Sequence, residues 1–182
     1  MRKNQNSTPA EPHHDHATEH PSTGFARDYW PAAGLPATGP VVDGVEVRFR
    51  RAQRASGGAV AGQDLRRPGQ MRRIGRAYLR RWGVPELVDT TCLLLSELVT
   101  NSLVHGEGET VGVRLYLTPE HLCVEVRDGG PWVPRPPAGP LAQHGRGLLL
   151  VDALADAWGI AEDGGCVWCV LRRNLPQPET PR

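Results

Sequence analysis

Residues 93–105, LLLSELVTNSLVH, constrain this chain more than any other stretch. Leu93, Leu94, Leu98 and Val99 recur at helical spacings, so the segment reads as a helix with an apolar body. Glu97 and Asn101 are four apart and stack on one face, and His105 extends the stripe four residues further on. A half-buried carboxylate and amide cost free energy unless something satisfies them. A hydrated divalent cation carrying phosphate oxygens would do so. The exposed side of an ordinary amphipathic helix would avoid the cost.

A length of 182 residues fits one domain with tails. Hydrophobic residues make up 39%, enough for a core, and a net charge of +1 is too small for a general nucleic-acid binder. No run of 18 apolar residues appears, so no membrane span is predicted. The N-terminus has no apolar core of a secretory signal, and a cytoplasmic location is expected. There the four cysteines, at 92, 123, 166 and 169, should be thiols. Cys166 and Cys169 form a C-x-x-C, but no second pair has metal-ligand spacing. On a strand their sulfurs would also point to opposite faces.

Residues 1–42 are polar, rich in Pro, His, Thr and Ala, without periodicity, and read as a disordered tail. A half-buried strand is predicted over 45–50, where Val45, Val47 and Phe49 alternate with charge. After a loop over 52–63, Met71, Ile74, Tyr78 and Trp82 mark a helix from Pro68 to a C-cap at Gly83. Its five arginines at 72, 73, 76, 80 and 81 suit a solvated face or the docking of an acidic partner. Pro85 and Glu86 open the organising helix, and Gly106 and Gly108 close it. Strands over 111–117 and 122–127 should pair as a hairpin. The alternation carries Asp128 onto the apolar side with Leu122, Val124 and Val126, so this carboxylate needs a partner. Residues 131–144 hold five prolines and read as a loop. Gly145 and Gly147 then precede an apolar helix over 148–157, a geometry that offers backbone N–H groups to an anion. Two short strands, 157–161 and 166–171, and a tail complete the chain.

Three motifs therefore stand in order: Glu97-x3-Asn101 on a helix, Asp128-x-Gly130 after a strand, and Gly145-x-Gly147-Leu148 at a helix start. Together they resemble the GHKL ATPase superfamily. Within it, ELVTNSLVHG, VRDGG and GRGLLLVDALADAWG look most like the small anti-sigma-factor serine kinases and their single-domain actinobacterial relatives. The resemblance covers about residues 45–172, within a domain drawn at 43–173 and a C-terminal tail from 174. It implies an α/β (α+β) two-layer sandwich, a mixed β-sheet with helices on one face.

The resemblance also implies tasks. Asn101 would ligate Mg²⁺, a hard ion suited to an amide oxygen. Glu97 would be the catalytic base. Asp128 would accept from the adenine amino group, with Gly130 leaving room for the base. Gly145, Arg146, Gly147 and Leu148 would meet the phosphates, His105 would line their side, and 131–144 would form the lid. Relatives often carry Lys-Thr before the last strand's Val-Trp; here Gly165 and Cys166 stand there, and a thiol is a poorer donor than a hydroxyl. The implied function is an ATP- and Mg²⁺-dependent serine/threonine-protein kinase acting on an anti-anti-sigma partner, with a sigma factor as a second partner and room for a homodimer. No direct nucleic-acid or membrane partner is implied. A non-catalytic ATP-binding module and a detached histidine-kinase-like ATPase domain are the alternatives.

Overall fold

The computed structural model describes residues 39–54, 58–130, 147–161 and 164–174. The elements run β1 (Asp43–Arg50), α1 (Arg67–Arg81), α2 (Val88–His105), β2 (Thr110–Leu117), β3 (His121–Arg127), α3 (Gly147–Leu154), β4 (Ala157–Ile160) and β5 (Cys166–Arg172). Single 3-10 turns, Asp64–Arg66 and Pro85–Leu87, lead into the two long helices. The five strands form one sheet in the order β1-β2-β3-β5-β4. Three helices cover one face, which makes an α/β two-layer sandwich.

The sheet departs from the mixed one that the resemblance implied: every pairing among the described residues is antiparallel. Chain reversal explains this. Two helices between β1 and β2 bring the chain back in the opposite sense, and three-residue turns make β2–β3 a hairpin. β3 and β4 do run the same way, but β5 lies between them and is antiparallel to both.

α1 buries Met71, Gly75 and Leu79, a four-residue row, while Arg72, Arg73, Arg76, Arg80 and Arg81 stay exposed. Its end is set by Gly83, whose φ of 71° lets the Gly83 and Val84 N–H groups turn back to the Arg80 and Leu79 carbonyls. α2 is the central helix, packed against α1, α3 and the sheet. Leu94, Leu95 and Val99 are fully enclosed there, each contributing about 1.5–3 kcal/mol by leaving water. Leu93, part of the apolar body in the sequence, is instead 39% exposed. Residues 85–105 are long and apolar enough, by composition alone, to cross a membrane, but here they form the buried core helix.

The apolar rows of β1, β2, β3 and β5 meet these helices, with Phe49, Leu115, Val124, Val126 and Val167 among them. The opposite face is buried as well, around Tyr116, Cys123, Trp168 and Val170. On it the Tyr116 hydroxyl donates to Glu125 Oε1 at 2.9 Å, and Arg114 bridges Glu125 and Glu46. Burial, then the neighbouring Cys123 and Glu125, push the Tyr116 hydroxyl well above its ordinary range. All four cysteines are buried thiols outside any disulfide. Cys169 packs toward the helices and Cys166 belongs to the opposite face, so the C-x-x-C sulfurs are split across the sheet.

Candidate functional site: a cleft between α2 and the ends of β3 and β5

The second half of α2 and the ends of β3 and β5 enclose a narrow cleft. It is lined by Leu98, Asn101, Ser102, Val126, Asp128, Gly165, Cys166 and Val167. Leu98, Val126 and Val167 make apolar walls, and Asp128 is the one carboxylate in the lining. The pleat places it: β3 ends at Arg127, and the next residue falls on the helix-facing side. The Asp128 N–H donates to the Gly165 carbonyl at 3.2 Å, which ties this corner to the start of β5. The side chain is 5% exposed, and its Oδ1 accepts the Gly130 N–H at 3.3 Å. Burial pushes the Asp128 carboxyl above its usual range; the Gly130 amide, the Arg51 guanidinium and the Ser102 hydroxyl pull it partly back.

Glu97 and Asn101 lie on one side of α2, as their spacing predicts, and α3 begins directly against them. A Cβ on Gly147 would stand 2.6 Å from Glu97 Oε2 and 3.1 Å from Asn101 Nδ2. Glycine is what permits this contact. A carboxylate at the start of a helix is electrostatically favourable, because the helix presents unpaired N–H groups there. Glu97 thus sits where a phosphate would be drawn. For an anion to reach the same N–H groups, the start of α3 must move off Glu97. The cleft itself is narrow, with a free space of about 10 Å³ that admits roughly one water.

The other predicted site residues distribute as follows. Gly130 is buried and packs near Glu107, while Leu148 is half-buried one residue into α3. Gly145, Arg146 and the lid over 131–144 lie outside the described residues. His105 is exposed and faces away from the cleft, lining a broad basin of about 590 Å³ with Arg50, Arg51, Arg54, Glu107 and Glu109. Gly106 separates the two depressions. Its φ of −67° is ordinary for any residue, so space is the reason for glycine. A Cβ there would stand 2.3 Å from Asp128 Oδ2 and 2.6 Å from both Arg51 Nη2 and the Ser102 carbonyl.

Sequence reasoning missed Ser102, Leu98 and Arg51. Ser102 carried a signal, as a small polar residue beside Asn101 in an apolar helix. Its hydroxyl is buried at the cleft beside the Asp128 carboxylate. Arg51 carried none, because its role depends on chain segments that meet only in the fold.

An α/β sandwich whose helix face holds an aspartate in a narrow apolar cleft, beside a Glu/Asn pair at a helix start, defines a nucleotide-binding domain. The chain belongs to the histidine kinase-like ATPase domain family, whose pattern it matches over residues 62–171. It is also similar to an uncharacterised protein of Streptomyces coelicolor, 40% identical over 75 residues, covering 38% of this chain and 71% of that one. Membership implies ATP binding. Leu98, Val126 and Val167 would flank a flat ring and the Asp128 carboxylate would accept from an exocyclic amine only once the cleft, which admits about one water here, has widened.

Proposed function

We propose that the chain is an anti-sigma-type serine/threonine-protein kinase. It binds Mg·ATP and transfers the γ-phosphoryl group to a hydroxyl of a small anti-anti-sigma partner. The observation that carries this reading is the meeting of Glu97, Asn101 and Gly147 beside the Asp128 cleft. Asp128 and the walls would hold the base. Asn101, at the cleft edge, would supply an amide oxygen to Mg²⁺, and the ion would offset phosphate charge there. Gly147 would offer its N–H to a phosphate once the start of α3 has moved. Glu97, released from that helix, would take the proton of the partner's hydroxyl as its oxygen bonds to phosphorus and ADP leaves. A sigma factor as second partner, a homodimer and a cytoplasmic location belong to the same proposal.

Calorimetry with ATP, GTP and ADP, followed by phosphoryl transfer to a captured partner, tests it. Glu97→Gln should keep ATP affinity within a few-fold and lower transfer about 10²–10⁴-fold, the usual contribution of a general base. Tight ATP binding without hydrolysis or transfer would leave the second reading, a binding module whose partner senses the nucleotide. Gly165 and Cys166 at the cleft favour that reading, because glycine has no side chain and the Cys166 thiol belongs to the opposite face of the sheet, so neither offers the base a hydroxyl.

A further inference from the structure

We propose that Arg51 is a positioning residue for Asp128. Its guanidinium, anchored on the Gly106 carbonyl in the wall between the two depressions, orients the buried carboxylate and so sets the preference for adenine over guanine. The inference rests on the nucleotide reading above and assigns that site a specificity determinant outside its three motifs.

The backbone fixes Arg51 first. It follows β1 directly, and its N–H donates to the Glu109 carbonyl at 2.7 Å, extending the ladder with β2 by one rung. Its side chain turns toward the end of α2, where Nη1 donates to the Gly106 carbonyl. That leaves Nε and Nη2 buried with no hydrogen-bond partner among the described residues. A guanidinium has five donors, and buried donors left unused are costly. Nη2 and Asp128 Oδ2 both crowd the point where a Gly106 Cβ would stand, at 2.6 and 2.3 Å. Cation and carboxylate thus share the space that any side chain at position 106 would fill. Arg51 and Asp128 also act on each other electrostatically, and Asp64 flanks Arg51 as a second carboxylate.

The chemistry of base reading gives this proximity a consequence. Adenine presents an amino group where guanine presents a carbonyl oxygen. An ionised, fixed carboxylate attracts the first and repels the second; a protonated or rotated one loses both effects. Arg51 favours the ionised form and occupies one side of it. Arg54 differs, although it is three residues away. Its Nη2 donates to the Leu103, Val104 and Gly106 carbonyls at 3.4, 3.0 and 3.2 Å, which caps the C-terminus of α2. Both arginines reach the Gly106 carbonyl and act on each other electrostatically, but only Arg51 also acts on Asp128, which makes Arg54 the comparison.

The test is calorimetry with ATP and GTP on the full chain, with thermal melting in parallel. R51M should lower ATP affinity about tenfold with little change for GTP, a coupling usual for residues in contact. R51K, which keeps the charge, should restore most of the ratio. R54M should lower the melting temperature and leave the ratio alone. In a D128N background, R51M should cost nothing further. If R51M does not fold, R51Q and G106A are read instead, and both should lose the ratio. A folded R51M, R51Q or G106A with the wild-type ATP/GTP ratio overturns the proposal, as does an R51M effect that persists in full in D128N. If D128N also leaves the ratio unchanged, the nucleotide reading falls and takes the proposal with it. A ratio lost in D128N but kept in R51M removes the Arg51 role alone.

Discussion

The two depressions at the end of α2 share the Gly106 wall and little else. One is narrow, apolar and floored by a buried carboxylate; the other is broad, polar and rimmed by arginines and glutamates. The broad basin has far more free space, yet the narrow cleft is where the proposed function places the base. The exposed charges of the basin, Arg50, Arg54, Glu107 and Glu109, are solvated and screened, so any one of them discriminates weakly. Asp128, at 5% exposure, has paid desolvation in advance and can read a single hydrogen atom. Beside the cleft, the start of α3 sits against Glu97 and Asn101 through Gly147.

The largest effect expected tests whether the narrow cleft is the nucleotide site at all. Gly147→Val would place a branched side chain against Glu97 Oε2, where even a Cβ stands at 2.6 Å. ATP binding should be lost, while the far-UV spectrum stays that of a folded protein. Overpacking should cost about 1–3 kcal/mol of stability. Unchanged ATP affinity would mean that the glycine serves only helix packing. Asn101→Ala should come next, weakening ATP binding in the presence of Mg²⁺ more than in its absence. Equal losses with and without the ion would remove the metal role.

Asp128→Asn sharpens the comparison further. It replaces an acceptor-only carboxylate by an amide that also donates. Inverting one buried hydrogen bond should cost about 1–3 kcal/mol, roughly five- to 150-fold in ATP affinity. GTP affinity should fall less or rise. Equal losses for the two nucleotides would show that Asp128 supports the fold and does not read the base.

What could be read in advance follows from the range of each interaction. α2, β2 and β3 were legible because helical spacing and alternation are local. The same alternation put Asp128 on the helix side, and the structure has it there, in the cleft with Val126. Alternation says which residues share a face; it is silent on whether the other face is covered. Glu125 and Cys123 therefore read as the polar side of a half-buried strand, yet they are 3% and 0% exposed, Glu125 beside Tyr116. The strand directions implied by the family were likewise not a local property. They follow from β5 inserting between β3 and β4. Arg51 was silent for the same reason, since it reaches Gly106 only because β1 and α2 end at one corner.

A smaller effect concerns stability. Burial holds the Asp128 carboxyl above its ordinary value in the folded chain. In the unfolded chain it returns to about 3.9. Between the two the folded state binds more protons, so stability falls as pH rises through that window, and the loss is complete above it. Asn titrates nowhere. Asp128→Asn should therefore melt at a higher temperature relative to wild type at neutral pH, with the gap closing as pH falls toward the unfolded value. A gap that widens toward acid would mean that the carboxylate is a net stabiliser and that its burial carries no net cost.

His105→Ala should have the smallest effect on nucleotide affinity, and it asks whether the two depressions are independent. The family resemblance put His105 on the phosphate side because it continues the Glu97–Asn101 stripe. A helix turns 100° per residue, so each four-residue step moves the stripe about 40° around the axis. Two steps from Glu97 to His105 amount to about 80°, enough to carry the ring off the cleft and over the helix end into the basin. His105 is exposed there, and α2's end is already held by Arg51 and Arg54 on its last carbonyls. ATP affinity in His105→Ala should stay within about twofold, as expected for an exposed position away from the ligand. A tenfold loss would mean that nucleotide binding rebuilds the helix end and draws His105 round to the phosphates, joining two depressions that are separate in this structure.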